Sequence, residues 1–349
     1  MQRQDILNSV VGAEHFHFWT PVITHYRAGA EISIDAGRMA RHAQQILPHT
    51  PLWMVGGTTG DGWALSDRQY AQLLDYICDT DFGPRRPRIL VGALRPTTSE
   101  VLQRVETLKQ RLGLSPQASL EENLERLRAR GVVGVTICAP VGAELTQAQI
   151  GAHLAEVCAR ARLPIVLYQL PQITHNLIAS ETLQALIEAY PAIILFKDSG
   201  GKDEVARTGL FQDTLTLVRG AEGDYLEALK GGGGCYDGWL LSTGNAFAPQ
   251  LAVLAARCRQ GDLPAAAAGS RALTAIVQQL FSLAGAVPGG NPFSNANRAA
   301  DHLLAYGKEW RQQPLPLRQD GSRLPADFLE QVEKALAAGG WLPEIGYLP

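Results

Sequence analysis

Apolar and polar positions along this chain follow two alternating rhythms. Short, nearly unbroken apolar runs recur at 16–24, 51–56, 88–93, 132–138, 164–168, 192–197, 214–218 and 238–242. Runs of this kind read as strands buried on both faces, as in parallel sheets. Between them apolar residues return every three or four positions, which predicts helices. One such helix runs from an Asp35 cap to about residue 47, and another begins at a Ser66 cap. Others are predicted over 100–110, up to 130 after a 113–119 loop, 146–162, 180–190 and 225–230. Strands alternating with helices predict an α/β fold, a parallel (β/α)₈ TIM barrel. From about residue 249 onward only helical patterns remain, over 264–285, 294–306 and 325–338. The expected organisation is a barrel catalytic domain over 1–248 and a C-terminal helical extension over 249–349 that packs against it.

The sixth run, Ala192-Ile-Ile-Leu-Phe-Lys197-Asp-Ser-Gly-Gly201, carries a lysine at its end. A lysine there is costly unless it is paired, exposed or functional. Burial favours the neutral amine, and a neutral amine attacks carbonyl carbon. The segment alone fits better a lysine that snorkels to water. Barrel enzymes carry their chemistry at the C-terminal strand ends, and two further ends bear polar groups. Thr58 and Thr59, between Gly57 and Gly60, follow the second run, and Tyr168 closes the fifth. Tyr168 and Lys197 fall one βα unit apart, on neighbouring strands. Two hydroxyls suit a carboxylate, and a phenol can carry protons. The set therefore predicts imine formation between Lys197 and a 2-oxo acid.

Composition narrows the classes. The chain is 46% hydrophobic and 19% charged with net charge −3, so it offers no electrostatic footprint for nucleic acid. No apolar stretch approaches membrane-spanning length, and no signal-peptide pattern opens the sequence. The five cysteines are scattered without a C-x-x-C, which fits reduced thiols in a cytoplasm. His15 and His17 are spaced as ligands on one strand face, but without a third ligand an ordinary strand is expected and no metal is assigned. Gly231–Gly234 lacks P-loop spacing and reads as a connector. Glu222 is expected either at the barrel mouth or as a solvated helix acid. His25 and His175 are expected as loop or surface residues, with contact to a substrate polar group as the alternative, and Trp63 as a packing residue, with a wall of the pocket as the alternative.

Gly57-Thr-Thr-Gly-Asp-Gly62, Tyr168-Gln-Leu-Pro171 and Phe196-Lys-Asp-Ser-Gly-Gly201 together resemble the dihydrodipicolinate synthase / N-acetylneuraminate lyase superfamily. That superfamily carries G-T-T-G-E, Y-N-x-P and a lysine segment in this order. Trp19-Thr-Pro21, Gly238–Asn245, Asn291-Pro292 and 314–324 extend the resemblance over nearly the whole chain. It implies Lys197 as the imine-forming lysine and Tyr168 as the proton-transferring phenol. It also implies that Thr58 and Thr59, with Gly57, hold the substrate carboxylate, and that Thr58 joins a hydroxyl relay to Tyr168. It further implies a homo-oligomer, tetramer or dimer, working without a cofactor. Two departures stand out. Ala139-Pro-Val-Gly142 lacks the second tyrosine of the lysine-pathway synthases, and Ile173 takes the place of their substrate-gripping arginine. Asp61 replaces the usual glutamate. The expected function is a Schiff-base lyase, aldolase or dehydratase, acting on pyruvate or a related 2-oxo acid. The alternatives are a dihydrodipicolinate synthase-like enzyme and a non-catalytic barrel that binds 2-oxo acids.

Overall fold

The computed structural model describes residues 1–12, 16–83, 85–115 and 117–348. Among them, eight parallel strands close into a barrel. They are β1 (His17–Pro21), β2 (Leu52–Val55), β3 (Arg88–Gly92), β4 (Val132–Cys138), β5 (Ile165–Gln169), β6 (Ile193–Asp198), β7 (Thr216–Arg219) and β8 (Gly238–Leu240). Each lies within, or one residue beyond, a predicted apolar run. The outermost are shorter than their runs for a local reason. After Pro21 the chain leaves the sheet, and the Asn245 side chain takes over, accepting from Ile23 N and donating to the Pro21 carbonyl, both at 2.9 Å. His15 lies outside the described residues, so only His17 of that pair is placed, in β1.

The predicted caps form. Asp35 accepts from the Arg38 backbone N–H at 2.9 Å, and Ser66 forms a reciprocal capping box with Gln69. The 113–130 region resolves into a helix, Leu120–Arg130, that buries Leu124 and Leu127. It packs beside an N-terminal helix, Arg3–Val11, that the sequence pattern did not show. That helix buries Ile6, Leu7, Val10 and Val11 in the same apolar cluster as Met54, Leu90, Val166 and Leu240 of the strands. Arg3 secures it to the starts of β6 and β7 through the carbonyls of Ile193 (2.5 Å) and Thr214 (3.0 Å). One end of the barrel is thereby stoppered with hydrocarbon, and the chemistry is left to the other.

Among the described residues, four α-helices follow the last strand: Gly244–Gln260, Leu263–Gly285, Pro292–Tyr306 and Ala326–Ala338. The first runs through residue 248 with a kink at Phe247, two residues ahead of Pro249. These helices pack into an apolar cluster of their own, joined to the barrel by Phe18 and Trp239. Among the described residues, no helix is long and apolar enough to cross a membrane.

Candidate active site

Parallel pairing of β5 and β6 sets Tyr168 directly opposite Lys197. The Lys197 Nζ stands 3.8 Å from the centre of the Tyr168 ring. Both side chains are buried, 4% and 3% exposed. Burial lowers the Lys197 ammonium from the usual 10.5 to about 7, with Cys138 and Glu222 pulling weakly the other way. That drop corresponds to roughly 5 kcal/mol against the charged form. The ring face returns about 0.5–2 kcal/mol to a cation, so desolvation wins. A nucleophilic amine is consequently well populated at neutral pH.

Burial acts on Tyr168 in the opposite sense, pushing its phenol well above the usual value. The Thr58 and Ser199 hydroxyls oppose that shift without cancelling it. Tyr168 therefore keeps its proton and has it available to donate. Cys138, next to Tyr168 in the sheet register, is likewise held as a neutral thiol by burial, in keeping with a packing role.

The threonines arrive by a tight turn. After β2, Gly56 adopts φ +62°, a conformation that favours glycine. The Gly57 carbonyl then accepts from the N–H groups of Gly60 (3.0 Å) and Gly62 (2.8 Å). Helix Pro292–Tyr306 grips the outside of this turn. Asn291, its N-cap, donates to the Thr58 carbonyl at 2.8 Å, and Ser294 Oγ donates to the Thr59 carbonyl at 2.8 Å. Trp63 donates to Thr58 Oγ1 at 3.2 Å, so its indole packs on the turn as expected. Asp61 sits at φ +59°, where a short polar side chain is tolerated better than a long one. Its carboxylate accepts from Tyr26 OH (2.8 Å) and Arg298 (2.6 Å), an ion pair buried on both sides.

A cavity of about 240 Å³ opens where these elements meet, with Thr58, Thr59, Tyr168, Lys197, Ser199 and Glu222 in its walls. Gly57 is not one of its lining residues; it shapes the turn that delivers the threonines. Glu222 is at the mouth and is not a solvated helix acid. Its carboxylate accepts from Ser242 Oγ (2.6 Å), Thr243 N (3.0 Å), Thr243 Oγ1 (2.5 Å) and Tyr225 OH (3.1 Å). Ser199 and Asn291 carried no separate expectation. Ser199 was legible only as part of the lysine segment, and Asn291 only as part of an Asn-Pro pair. Gly220 leaves room for the amine: a Cβ there would lie 2.1 Å from Ser199 Oγ and 2.6 Å from Lys197 Cε. His175 caps a short helix at the surface as expected, whereas His25 does not lie at the surface. It is buried under Arg38 and Asp301, because helices 36–46 and 292–306 close over it.

Residues 97–288 match the pattern of the dihydrodipicolinate synthetase family. A 4-hydroxy-tetrahydrodipicolinate synthase from Xanthomonas axonopodis pv. citri is 27% identical over 251 residues, 71% of this chain and 74% of that protein. Among solved structures, YagE, a prophage protein of the dihydrodipicolinic acid synthase family from E. coli K12 in complex with pyruvate, superposes with a TM-score of 0.73. That alignment has 18% identity and covers 94% of this chain and 100% of YagE. The KD(P)GA of T. tenax superposes with a TM-score of 0.69 at 19% identity, covering 93% of this chain and 98% of that one.

Proposed function

We propose, on the premise that this chain belongs to the dihydrodipicolinate synthetase family and is a lyase of the class I aldolase type, that Lys197 forms a Schiff base with pyruvate or a related 2-oxo acid. The observation that carries the reading is the buried Lys197 amine, lowered to about 7 and facing Tyr168 in one cavity with two threonines. The Thr58 and Thr59 hydroxyls hold the carboxylate and so set the keto carbon against Nζ. Neutral Nζ attacks that carbon. A proton shed by Nζ passes to the keto oxygen to give the carbinolamine, Tyr168 donates a second proton to that oxygen, and it leaves as water, so that a protonated imine faces the Tyr168 phenolate. The imine withdraws electrons from the adjacent carbon, which allows a carbon–carbon bond to break or form, or a β-hydroxyl to leave.

Two features favour a lyase other than 4-hydroxy-tetrahydrodipicolinate synthase. Ile173, apolar, lines a neighbouring pocket that shares Thr58 with the lysine cavity, where that enzyme's pattern calls for an arginine. The 139–142 segment offers no phenol. Ser242, at the cavity, spends its proton on Glu222 and keeps lone pairs that suit a hydroxyl of a sugar-derived acid. The test is borohydride reduction in the presence of pyruvate, followed by peptide mass spectrometry. A reduced pyruvyl group on Lys197 is expected. Failure to trap pyruvate or any 3-deoxy-2-oxo sugar acid there would refute the reading.

A further inference from the structure

A second polar cavity, of about 300 Å³, lies between the helix Ala36–Ile46, the helix Pro292–Tyr306 and the 314–323 connector. Among the described residues, five arginines line it (Arg27, Arg38, Arg41, Arg298 and Arg323) against two carboxylates, Asp35 and Asp301. Both carboxylates are already engaged. Asp35 caps its helix, and Asp301 pairs with Arg38 and accepts from Tyr347 OH at 2.5 Å. Asp61 balances Arg298 from outside the cavity, leaving two positive charges in the lining uncompensated.

Two buried side chains in the wall hold unused polar atoms. Arg298, 2% exposed, donates through one terminal nitrogen to Asp61 and the Thr24 carbonyl, while its Nε has no hydrogen-bond partner. His25, 8% exposed, also leaves Nε2 without a hydrogen bond, 3.6 Å from Asp301 Oδ2. The donor atoms of His25, His42 and Asp301 lie within 4.8 Å of one another, as metal ligands would. However, Arg38 already occupies the carboxylate, and Arg298 adds to a field that repels a dication. The same field, with buried donors unspent, attracts an anion.

We propose that this cavity binds a phosphate group, free or carried on a small ester. Planar guanidinium forks match phosphate oxygens in pairs, and a phosphate monoester carries about −1.5 to −2 at pH 7, which matches the uncompensated charge. The site is separate from Lys197. Through the Arg298–Asp61 pair it stands one contact from the turn that carries Thr58 and Thr59.

Isothermal titration calorimetry of the full chain with inorganic phosphate and with glycerol 3-phosphate, in low-salt buffer, tests the proposal. Saturable binding of one ligand per chain is expected, undiminished in Lys197→Ala. It should weaken at least tenfold in the double variant Arg41→Gln/Arg323→Gln, whose targets are exposed and whose melting curve verifies the fold. Binding of the ester alone would mean that the cavity reads the carbon skeleton as well as the phosphate group. No saturable heat from either ligand, or equal binding by the double variant, overturns the site. Binding lost in Lys197→Ala also overturns it, by moving the anion to the lysine cavity. Because the measurement does not require an imine, it stands or falls apart from the Schiff-base reading.

Discussion

Replacing Lys197 by methionine should make the protein more stable while removing the proposed nucleophile. The amine titrates near 7 in the folded chain and at the ordinary 10.5 once unfolded. Between those values the unfolded chain holds a proton that the folded chain has released. Stability therefore rises with pH across that window and levels off above it. The cost of burying Lys197 is roughly 5 kcal/mol well below pH 7, about 4 kcal/mol at pH 7 and about 2 kcal/mol at pH 9. Methionine is close in volume, flexible and uncharged, so it fills the site without that cost. With unfolding entropies of about 2.1 cal/mol/K per residue, a chain of this length gains about 5 °C in Tm at pH 7 and about half that at pH 9. Differential scanning calorimetry of wild type and Lys197→Met at the two pH values reads both numbers. A variant that melts at or below wild type at pH 7 would refute the argument that burial neutralises the lysine. A gain of the same size at both pH values would refute it as well.

Tyr168→Phe should leave the cavity and the lysine in place but slow imine formation, and turnover with it, by about 10²–10⁴-fold, measured as kcat and as the rate of borohydride trapping on Lys197. Unchanged trapping and turnover would instead mean that the phenol only fills space. Gly220→Ala should abolish the adduct and cost about 1–3 kcal/mol of stability, because the new Cβ lands 2.6 Å from Lys197 Cε. Unimpaired trapping by that variant would show that the lysine need not occupy the position described here.

The barrel was legible because every strand of a parallel sheet covered on both faces must be apolar throughout, and these runs are. The Tyr168–Lys197 pairing followed, since adjacent strands of such a barrel are adjacent in sequence order and both residues end their runs. The surroundings of the site were harder to read. Glu222 gains its meaning from Ser242 and Thr243, some twenty residues later and on the next loop, so its setting is invisible in local pattern. Its place just after β7 was the one available signal. The Asp61–Arg298 pair spans 237 positions, and no periodicity links its members. His25 looked like a loop histidine because the residues that bury it come from two remote helices. The Arg3–Val11 helix escaped because nine residues carry little amphipathic pattern, and its order comes from packing on the barrel floor.

The grip of Asn291 and Ser294 on the threonine turn bears on how the enzyme is made. A chain is synthesised from its N-terminus, and its domains fold as they emerge. The turn, the tyrosine and the lysine are all complete by residue 197, almost a hundred residues before the two side chains that satisfy the outer carbonyls of that turn. A nascent barrel thus possesses its lysine strand before the turn that carries Thr58 and Thr59 is held from outside. The cavity is therefore completed late in translation, when the Asn291 helix docks, and a chain interrupted before that point would lack the two side chains that fix the threonine turn.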